Sequence, residues 1–504
     1  MLETMTAVLF PSDRWTRFLL APALIFIAAG LDRNYQTDLW HHLARGRAIV
    51  AEDRLLDEDR FTFTVHGQPL RDPNWGWQLL FYRLYARGGL PLIQTINAAI
   101  LAAAMAFLMV RAWRRSGSLV AATTACLVAF LGLWQLILIR PQTLSILLFV
   151  LLSGVLEGAR HRRRLLWAAP LLMALWANVH GGFPVGLLAI GCYAAAELFD
   201  AARTRSPADA WACGAWLLCV LGSVAATLVN PYGWHIYEYV AQTSRVASGR
   251  PVDEWLPPGW NTLTGKVWVF SLTALVASLA LSPRRPTTRE LCLLGCFLPL
   301  SCGSVRMVAW WLLIVAPILA AQFAALWPRL RQLDADDDRP SLGNALACAA
   351  LALAALFSTP WLEAYNPILS RPERAHRTET DLQALADRLR AEGRGGRVFT
   401  RFAWGEYLGW SLTPTHTVFM DGRIEIVPDE VWDQYEAVTR GRADWHEILS
   451  SYDVQYLLLD SGPYHHSLVS LVRRSPFWHE TARQGDALLF ERRTPPPNRT
   501  ALLP

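Results

Sequence analysis

The sequence predicts a polytopic α-helical membrane protein with a small α/β domain standing on the extracytoplasmic face at its C-terminal end. Three observations predict it. Of 504 residues, 53% are hydrophobic and 18% charged, with a mean hydropathy of +0.22, a balance that a soluble domain of this length rarely shows. Apolar runs of membrane-crossing length recur as far as residue 357, and arginines cluster in every second loop between them. Beyond Phe357 the hydropathy drops and short helix and strand patterns alternate.

A helix needs roughly 20 apolar residues to cross hydrocarbon, or about 17 where it is short or the bilayer thins. Runs near that length lie at 15–31, 90–110, 119–139, 143–159, 165–179, 183–198, 211–229, 267–281, 291–303, 307–326 and 342–357, about eleven crossings. Ala28-Ala29-Gly30 would suit a signal-peptide cleavage site, yet an uncleaved anchor fits the even alternation that follows. Short arginine-rich loops stay on the cytoplasmic side. Arg14 and Arg17, Arg111 to Arg115, Arg160 to Arg164, Arg203 and Arg205, Arg284 to Arg289, and Arg329 with Arg331 occupy alternate loops. The N-terminus is then cytoplasmic and the C-terminal domain extracytoplasmic, in a bacterial inner (plasma) membrane.

The formal charge of +5 is almost wholly arginine, Lys266 being the only lysine. With the abundant alanine this reads as the codon usage of a GC-rich bacterial genome, and no nucleic-acid partner is expected. All eight cysteines lie in or beside apolar runs, which argues against a disulfide framework or a cysteine-held metal. Cys292 and Cys296, one helical turn apart, read as packing.

Residues 1–360 form the membrane domain, with a large first outer loop at 32–89. Its first part carries Leu39, Leu43, Ile49 and Val50 at helical spacing, as an interfacial helix would. Phe61 to Pro69 alternates like a hairpin turning at His66-Gly67-Gln68-Pro69, and 75–84 returns as an amphipathic helix. Residues 361–377 read as a linker, 378–494 as the α/β domain and 495–504 as a disordered tail. Within that domain the pattern gives a helix to about Glu392, strands at 398–402, 417–420 and 455–460, helices at 432–438 and 445–452, and late strands near Trp478 and Leu488.

On the predicted outer side, groups that membranes exclude converge. Asp38, His41 and His42 follow the first crossing, Arg140 ends the third, His180 the fifth and Asn230 the seventh; Glu254 follows in the same loop and Arg306 separates the ninth and tenth. Each taken singly reads as a snorkelling or capping residue; together, at membrane depth, they read as a site. The chemistry they suit is group transfer from a lipid-linked phosphate. Arg140 and Arg306 would hold phosphate oxygens, and Asp38 would take the acceptor's proton. His41, His42, His180, Asn230 and Glu254 would support the site or contact the acceptor. Asp57, Asp59 and Asp72 read as solvated or turn residues. A divalent metal on Asp38 with His41 and His42 is weakened by the divergence of adjacent side chains on a helix, and no other cofactor is expected.

Asp38-Leu-Trp-His-His-Leu-Ala-Arg-Gly, Asp59-Arg-Phe-Thr-Phe-Thr with Gly67-Gln-Pro, Arg140-Pro-Gln, Asn178-Val-His-Gly-Gly, Asn230-Pro-Tyr-Gly-Trp, Trp404-Gly-Glu-Tyr-Leu and Phe419-Met-Asp-Gly-Arg resemble bacterial members of the GT-C superfamily of polytopic glycosyltransferases. The resemblance implies a GT-C fold and a polyprenyl-phosphate sugar as donor. It also implies a carboxylate soon after the first crossing, at Asp38, acting as base or supporting the acceptor. Two departures stand out: Asn74-Trp75 where similar sequences carry Glu-Trp, and Leu39 where some carry a second acid. The implied activity is inverting transfer to an extracytoplasmic glycan, lipid or protein; the alternatives are a surface-polysaccharide polymerase or ligase, and a non-catalytic scaffold or transporter. Asp421-Gly422-Arg423 reads as a turn in which Gly422 permits a positive φ and Arg423 pairs with Asp421. Trp404, Trp410 and Trp432 read as core packing, with stacking on sugar rings as the alternative.

Overall fold

The computed structural model describes residues 12–32, 38–136, 138–204, 207–250, 253–333, 341–366 and 374–493. The chain forms two compact units. One holds Met1–Asp32, Pro73–Trp77 and Leu84–Ser370; the other holds Arg33–Asp72, Gln78–Arg83 and Arg371–Pro504. Much of the first outer loop, placed in the membrane domain on sequence grounds, therefore folds with the C-terminal residues.

The first unit is helical: α1 (Asp13–Leu31), then, after α2 (Leu39–Glu52) of the second unit, α3 (Trp75–Ser116, whose Gln78–Arg83 stretch belongs to the second unit), α4 (Leu119–Leu133), α5 (Pro141–Gly158), α6 (Ala168–Ala177), α7 (Pro184–Thr204), α8 (Pro207–Thr227), α9 (His235–Ser248), α10 (Leu263–Leu281), α11 (Thr288–Gly303), α12 (Val305–Leu326) and α13 (Leu342–Phe357). Among the described residues seven helices are long and apolar enough to cross a membrane, and Cys213–Thr227 and Leu342–Phe357 are shorter apolar helices. The protein is thus a multi-pass membrane protein. The run at 165–179 is split between a 3₁₀ turn (Arg163–Trp167) and the ten-residue α6.

Helix α12 is apolar all round from Val308 to Ala321, and such a helix is stable only when it is enclosed. It packs against α4, α10 and α11. Gly132 of α4 makes the approach close, since a β-carbon there would collide with Leu312 and Val267. Local signals end the helices as expected. Thr287 and Glu290 form a capping box at the start of α11, and Pro141 sits in the first turn of α5, where its missing N–H costs nothing. In α3, Gly89 leaves helical geometry (φ 62°, ψ −160°) two residues before Pro91, which breaks the helix axis there.

The two ends of this bundle differ chemically. At one end Glu157 closes α5 and accepts from Arg111 (2.7 Å) and Arg115 (3.2 Å), while Glu290 takes Arg115 and Arg284. The opposite end of α5 begins at Arg140, which pairs with Glu254.

The second unit is an α/β/α sandwich containing α14 (Arg374–Ala391), β1 (Gly396–Thr400), α15 (Phe402–Leu412), β2 (His416–Val418), α16 (Asp429–Thr439), α17 (Trp445–Ser451), β3 (Tyr456–Asp460), α18 (His466–Arg474), β4 (Trp478–Gln484) and β5 (Ala487–Arg492). The sheet order is β2-β1-β3-β5-β4, with β1 parallel to β2 and β3, and β5 antiparallel to β3 and β4. Alternation divides the strands' side chains: Phe399, Leu457, Leu459, Leu488 and Phe490 meet Tyr435, Val438, Leu449, Leu468 and Val472 of α16 to α18, while α14 and α15 cover the other face.

Strand β2 is a three-residue edge whose backbone groups need partners. The first outer loop supplies them: Phe63 N–H donates to the Val418 carbonyl (3.0 Å) and Val418 N–H to the Phe61 carbonyl (3.1 Å). This pairing replaces the hairpin expected at 61–69. Across the turn, which survives with Gly67 at φ 75°, Asp59 N–H still donates to the Gln68 carbonyl (3.0 Å) and Leu70 N–H to the Asp57 carbonyl (2.8 Å), but only isolated bridges result, Glu58 with Pro69 and Thr62 with Val418. Helix α2 likewise is no surface helix, because it buries Leu39, Leu43 and Ile49 together with His41, His42 and Arg45 inside the second unit. The segment at Phe402 turns out to begin α15 rather than end β1, and α15 and α18 went unforeseen. The tail at 495–504 and much of the linker lie outside the described residues.

His465 is fully buried after β3, accepting the Asp460 N–H at Nδ1 (3.0 Å), and burial pushes its imidazole from 6.5 down to about 3. The unfolded chain takes up a proton below pH 6.5 that the folded one refuses until about pH 3, so stability falls as pH drops through that window. At pH 5 the loss from this group is about 2 kcal/mol. Chemical denaturation of the full chain at pH 7 and pH 5 should show it, and His465→Gln should flatten that part of the slope.

Candidate functional site

Three of the residues that the sequence singled out assemble in the first unit. The turn Asp253–Trp255 is fastened to the start of α12: Ser304 Oγ donates to the Glu254 carbonyl (2.9 Å), and Val305 N–H to the Leu256 carbonyl (2.8 Å). Glu254 is thereby delivered between two arginines. Arg140 Nη2 donates to Glu254 Oε1 at 2.6 Å, and Arg306 Nε lies 3.9 Å from Oε2 with its guanidinium 5.0 Å above the Trp255 ring. Burial alone would raise the Glu254 carboxyl, but Arg140 and then Arg306 outweigh it and hold the group below its ordinary range. Two cations against one anion leave the trio one net positive charge, and Arg140 is buried.

His180 is fixed by its neighbours. Trp176 Nε1–H donates to Ser145 Oγ (2.7 Å), whose hydroxyl turns to His180 Nδ1 (2.7 Å), and Gly182 N–H donates to the same nitrogen (3.1 Å). Nδ1 is thus an acceptor, so the neutral ring carries its proton on Nε2. Ser145 lies on the first turns of α5, close behind Arg140, which puts His180 at the same end of the bundle. Asn230 is a turn residue: its amide donates to the Thr227 and Gly233 carbonyls, and its oxygen accepts the Tyr232 N–H. Asn178 plays a similar tying role, binding Trp75 Nε1–H (3.1 Å) and the Val229 carbonyl (2.7 Å). Asn74-Trp75, where an acid was missing, thus supplies a structural hydrogen bond.

The remaining candidates belong to the second unit. Asp38 precedes α2 at its N-cap position, half-buried, with its carbonyl accepting the His42 N–H (3.1 Å). The two histidine rings lie 4.1 Å apart, centre to centre, against the divergence expected of neighbours on a helix, yet they face different partners. His42 Nδ1 lies 3.0 Å from Gln78 Nε2, which also donates to Asp72 (2.6 Å), the buried partner of Arg45. His41 Nδ1 stands 3.6 Å from Glu406 Oε2. Burial first, then the charges of His42, Arg45 and Arg423, depress the His41 imidazole well below its usual range, so at neutral pH this approach is not an ion pair. Among the described residues no three His, Cys, Asp or Glu side chains gather as metal ligands.

Sequence reasoning paired Arg423 with Asp421 but missed their burial and the third partner, Asp59. Arg423 is bound by Asp421 (Nε to Oδ1 and Oδ2, both 2.8 Å; Nη2 to Oδ2, 2.6 Å) and by Asp59, whose carboxylate also accepts the Thr62 N–H (3.0 Å) and hydroxyl (2.6 Å). Burial works against Asp59, yet Arg423 and the Thr62 bonds hold it low. Asp59 and Asp72 are therefore buried partners of arginines, whereas Asp57 is exposed as expected. The Asp421-Gly422-Arg423 turn is real, with Arg423 N–H donating to Asp421 Oδ1 (3.1 Å). Gly422 is required there for space, not for a positive φ: a β-carbon would strike Glu406. Trp404 is a core residue, and Trp410 stacks under Arg47 at 4.1 Å.

Replacing Glu254 by alanine removes the carboxylate that pairs with buried Arg140, and removing one partner of such a pair costs about 3–5 kcal/mol when fully buried. Glu254 is partly exposed, so about 1–3 kcal/mol is expected here, read as a fall in the melting temperature of the detergent-solubilised protein, with Glu254→Gln falling less.

No family model and no curated protein matches the sequence. Solved structures do. The archaeal oligosaccharyltransferase AglB from Archaeoglobus fulgidus, determined with an inhibitory peptide and a dolichol-phosphate, aligns with a TM-score of 0.56 at 12% identity over 89% of this chain and 69% of its own. The arabinofuranosyltransferase AftD from Mycobacteria aligns with a TM-score of 0.52 at 16% identity over 95% of this chain, which spans 40% of that protein's length. At these identities the likeness is one of architecture, and it shows that this multi-pass membrane chain has a GT-C-like fold.

Proposed function

We propose that the protein transfers a sugar from a polyprenyl-phosphate-linked donor to an extracytoplasmic acceptor, a glycan, lipid or protein. The observation that carries this reading is the pairing of Arg140 and Arg306 with one carboxylate, with the oriented His180 held by Ser145 on the same first turns of α5, at the end of the bundle opposite the Glu157 and Glu290 network. A phosphodiester there meets a net positive, partly enclosed site that suits its oxygens. A carboxylate base takes the proton of the acceptor hydroxyl, the role that the sequence alone proposes for Asp38; the acceptor oxygen forms a bond to the anomeric carbon from the face opposite the phosphate. The bond from that carbon to the phosphate oxygen breaks, and the lipid phosphate leaves with the electron pair. The configuration inverts. Arg140 and Arg306 stabilise the charge growing on the leaving phosphate, and Glu254 holds the two guanidinia apart and aimed. His180 Nε2–H is a donor for the leaving group or acceptor.

The test separates donor binding from chemistry. In proteoliposomes supplied with undecaprenyl-phosphate glucose, mannose, galactose and arabinose, Arg306→Ala should raise the KM for the accepted donor about tenfold, the size of one charge-assisted contact, with a further fall in kcat. An unchanged KM and kcat would remove Arg306 from the donor site.

A further inference from the structure

The second unit has a topological switch point that none of the roles above uses. From β1 the chain passes through α15 to β2 on one side of the sheet; from β3 it passes through α18 to β4 on the other side. Neighbouring parallel strands whose connections run to opposite faces leave a crevice at their carboxyl ends, which is where open α/β sheets bind ligands. Here that crevice lies between Thr400 and Asp460.

The residues that follow the two strands are chemically distinctive. Arg401, directly after β1, has a side chain 37% exposed and reaches Asp460 loosely, Nη1 to Oδ2 at 3.5 Å. Its guanidinium lies 4.5 Å from the centre of the Tyr464 ring. The other Asp460 oxygen accepts the Gly462 N–H (2.8 Å), which fixes the carboxylate. The Tyr464 hydroxyl is 3.1 Å from that of Tyr435, which in turn accepts the Phe402 N–H (2.9 Å). Phe402 and Trp432 are half-buried, with their rings 6.3 Å apart. Two buried polar atoms here have no hydrogen-bond partner among the described residues: Nε of Arg401 and Nε2 of His465.

We infer that this crevice is a second carbohydrate site, in which Arg401 and Asp460 bind neighbouring hydroxyls of a glycan while the aromatic surface of Tyr464, Phe402 and Trp432 takes the apolar face of a sugar ring. Arg401 is set against Asp460, with Glu436 also acting on Tyr464, so no net positive charge is left to attract a phosphate, and a fixed carboxylate beside a donor fork suits paired hydroxyls. Aromatic faces suit the C–H face of a sugar ring. The choice of ligand class rests on the proposed glycosyl transfer; the site would hold the acceptor glycan.

The full-length protein in nanodiscs, without donor lipid, is mixed with methyl pyranosides of glucose, galactose and mannose and with methyl arabinofuranoside, and saturation-transfer NMR is recorded. Transfer to the ring C–H protons of at least one glycoside is expected, falling at least fivefold in both Arg401→Gln and Tyr464→Ala. The melting temperatures of the variants confirm that they fold, and Trp432→Ala replaces any that does not. Absence of transfer for every glycoside, transfer insensitive to these substitutions, or response only to an added peptide would overturn the site. Because no donor is present, that failure leaves the transfer reaction to its own assay.

Discussion

Arg423→Met is expected to destabilise the second unit by about 3–5 kcal/mol, enough to unfold it in part at physiological temperature. The guanidinium is buried between Asp421 and Asp59, and those carboxylates are themselves buried. Methionine fills much of the volume but leaves two anions facing each other without a counter-charge. Asp59 belongs to the first outer loop and Arg423 to the C-terminal segment, 364 positions apart, so the loss should free the loop as well. Limited proteolysis of the full chain should show new cleavage at 54–70 together with a lower denaturation midpoint. Adding Asp59→Asn and Asp421→Asn should restore part of the loss, because it removes the stranded charges. A midpoint within error of the wild type would show that the network is no clasp.

Asp38→Asn should lower kcat for sugar transfer about a thousandfold while leaving the fold intact. Positioned proton transfer contributes roughly 10²–10⁴ in rate, and an amide in the same place cannot accept the acceptor's proton. Asparagine keeps the size of the side chain and is an accepted N-cap residue. Equal melting temperatures with collapsed turnover would assign the effect to chemistry. Turnover above a tenth of the wild type would remove Asp38 as base.

Most of the membrane unit was legible because a crossing helix declares itself by length and hydropathy alone. Helix α12 is the clearest case. Arginine spacing foretold two unlike bundle ends, and the structure has them, Glu157 at one and Arg140 at the other. Arg140, Glu254 and Arg306 could be placed on one side from loop order, but their mutual contacts could not, since they depend on the Ser304 and Leu256 bonds that fold the loop back. The first outer loop misled for a specific reason. Phe61 to Val65 alternates as a strand should, and periodicity does not name the partner; the partner was β2, some 350 residues on, rather than a hairpin mate. Asp59 and Asp72 looked like solvated acids because burial of a charge is visible only with its counter-charge, and Arg423 and Arg45 are distant in sequence or on another element. Helix α15 was hidden by Gly405 and Gly409 within an apolar run that reads equally as strand.

The most direct measurement follows the donor. Purified protein in proteoliposomes is given polyprenyl-phosphate sugars labelled in the sugar, with acceptor glycans outside, and lipid and aqueous fractions are separated over time. Label should pass to the acceptor in step with release of free polyprenyl phosphate, with inverted anomeric configuration, in the wild type and not in Asp38→Asn. Donors that remain intact across the panel, or label passing equally in both proteins, would contradict it.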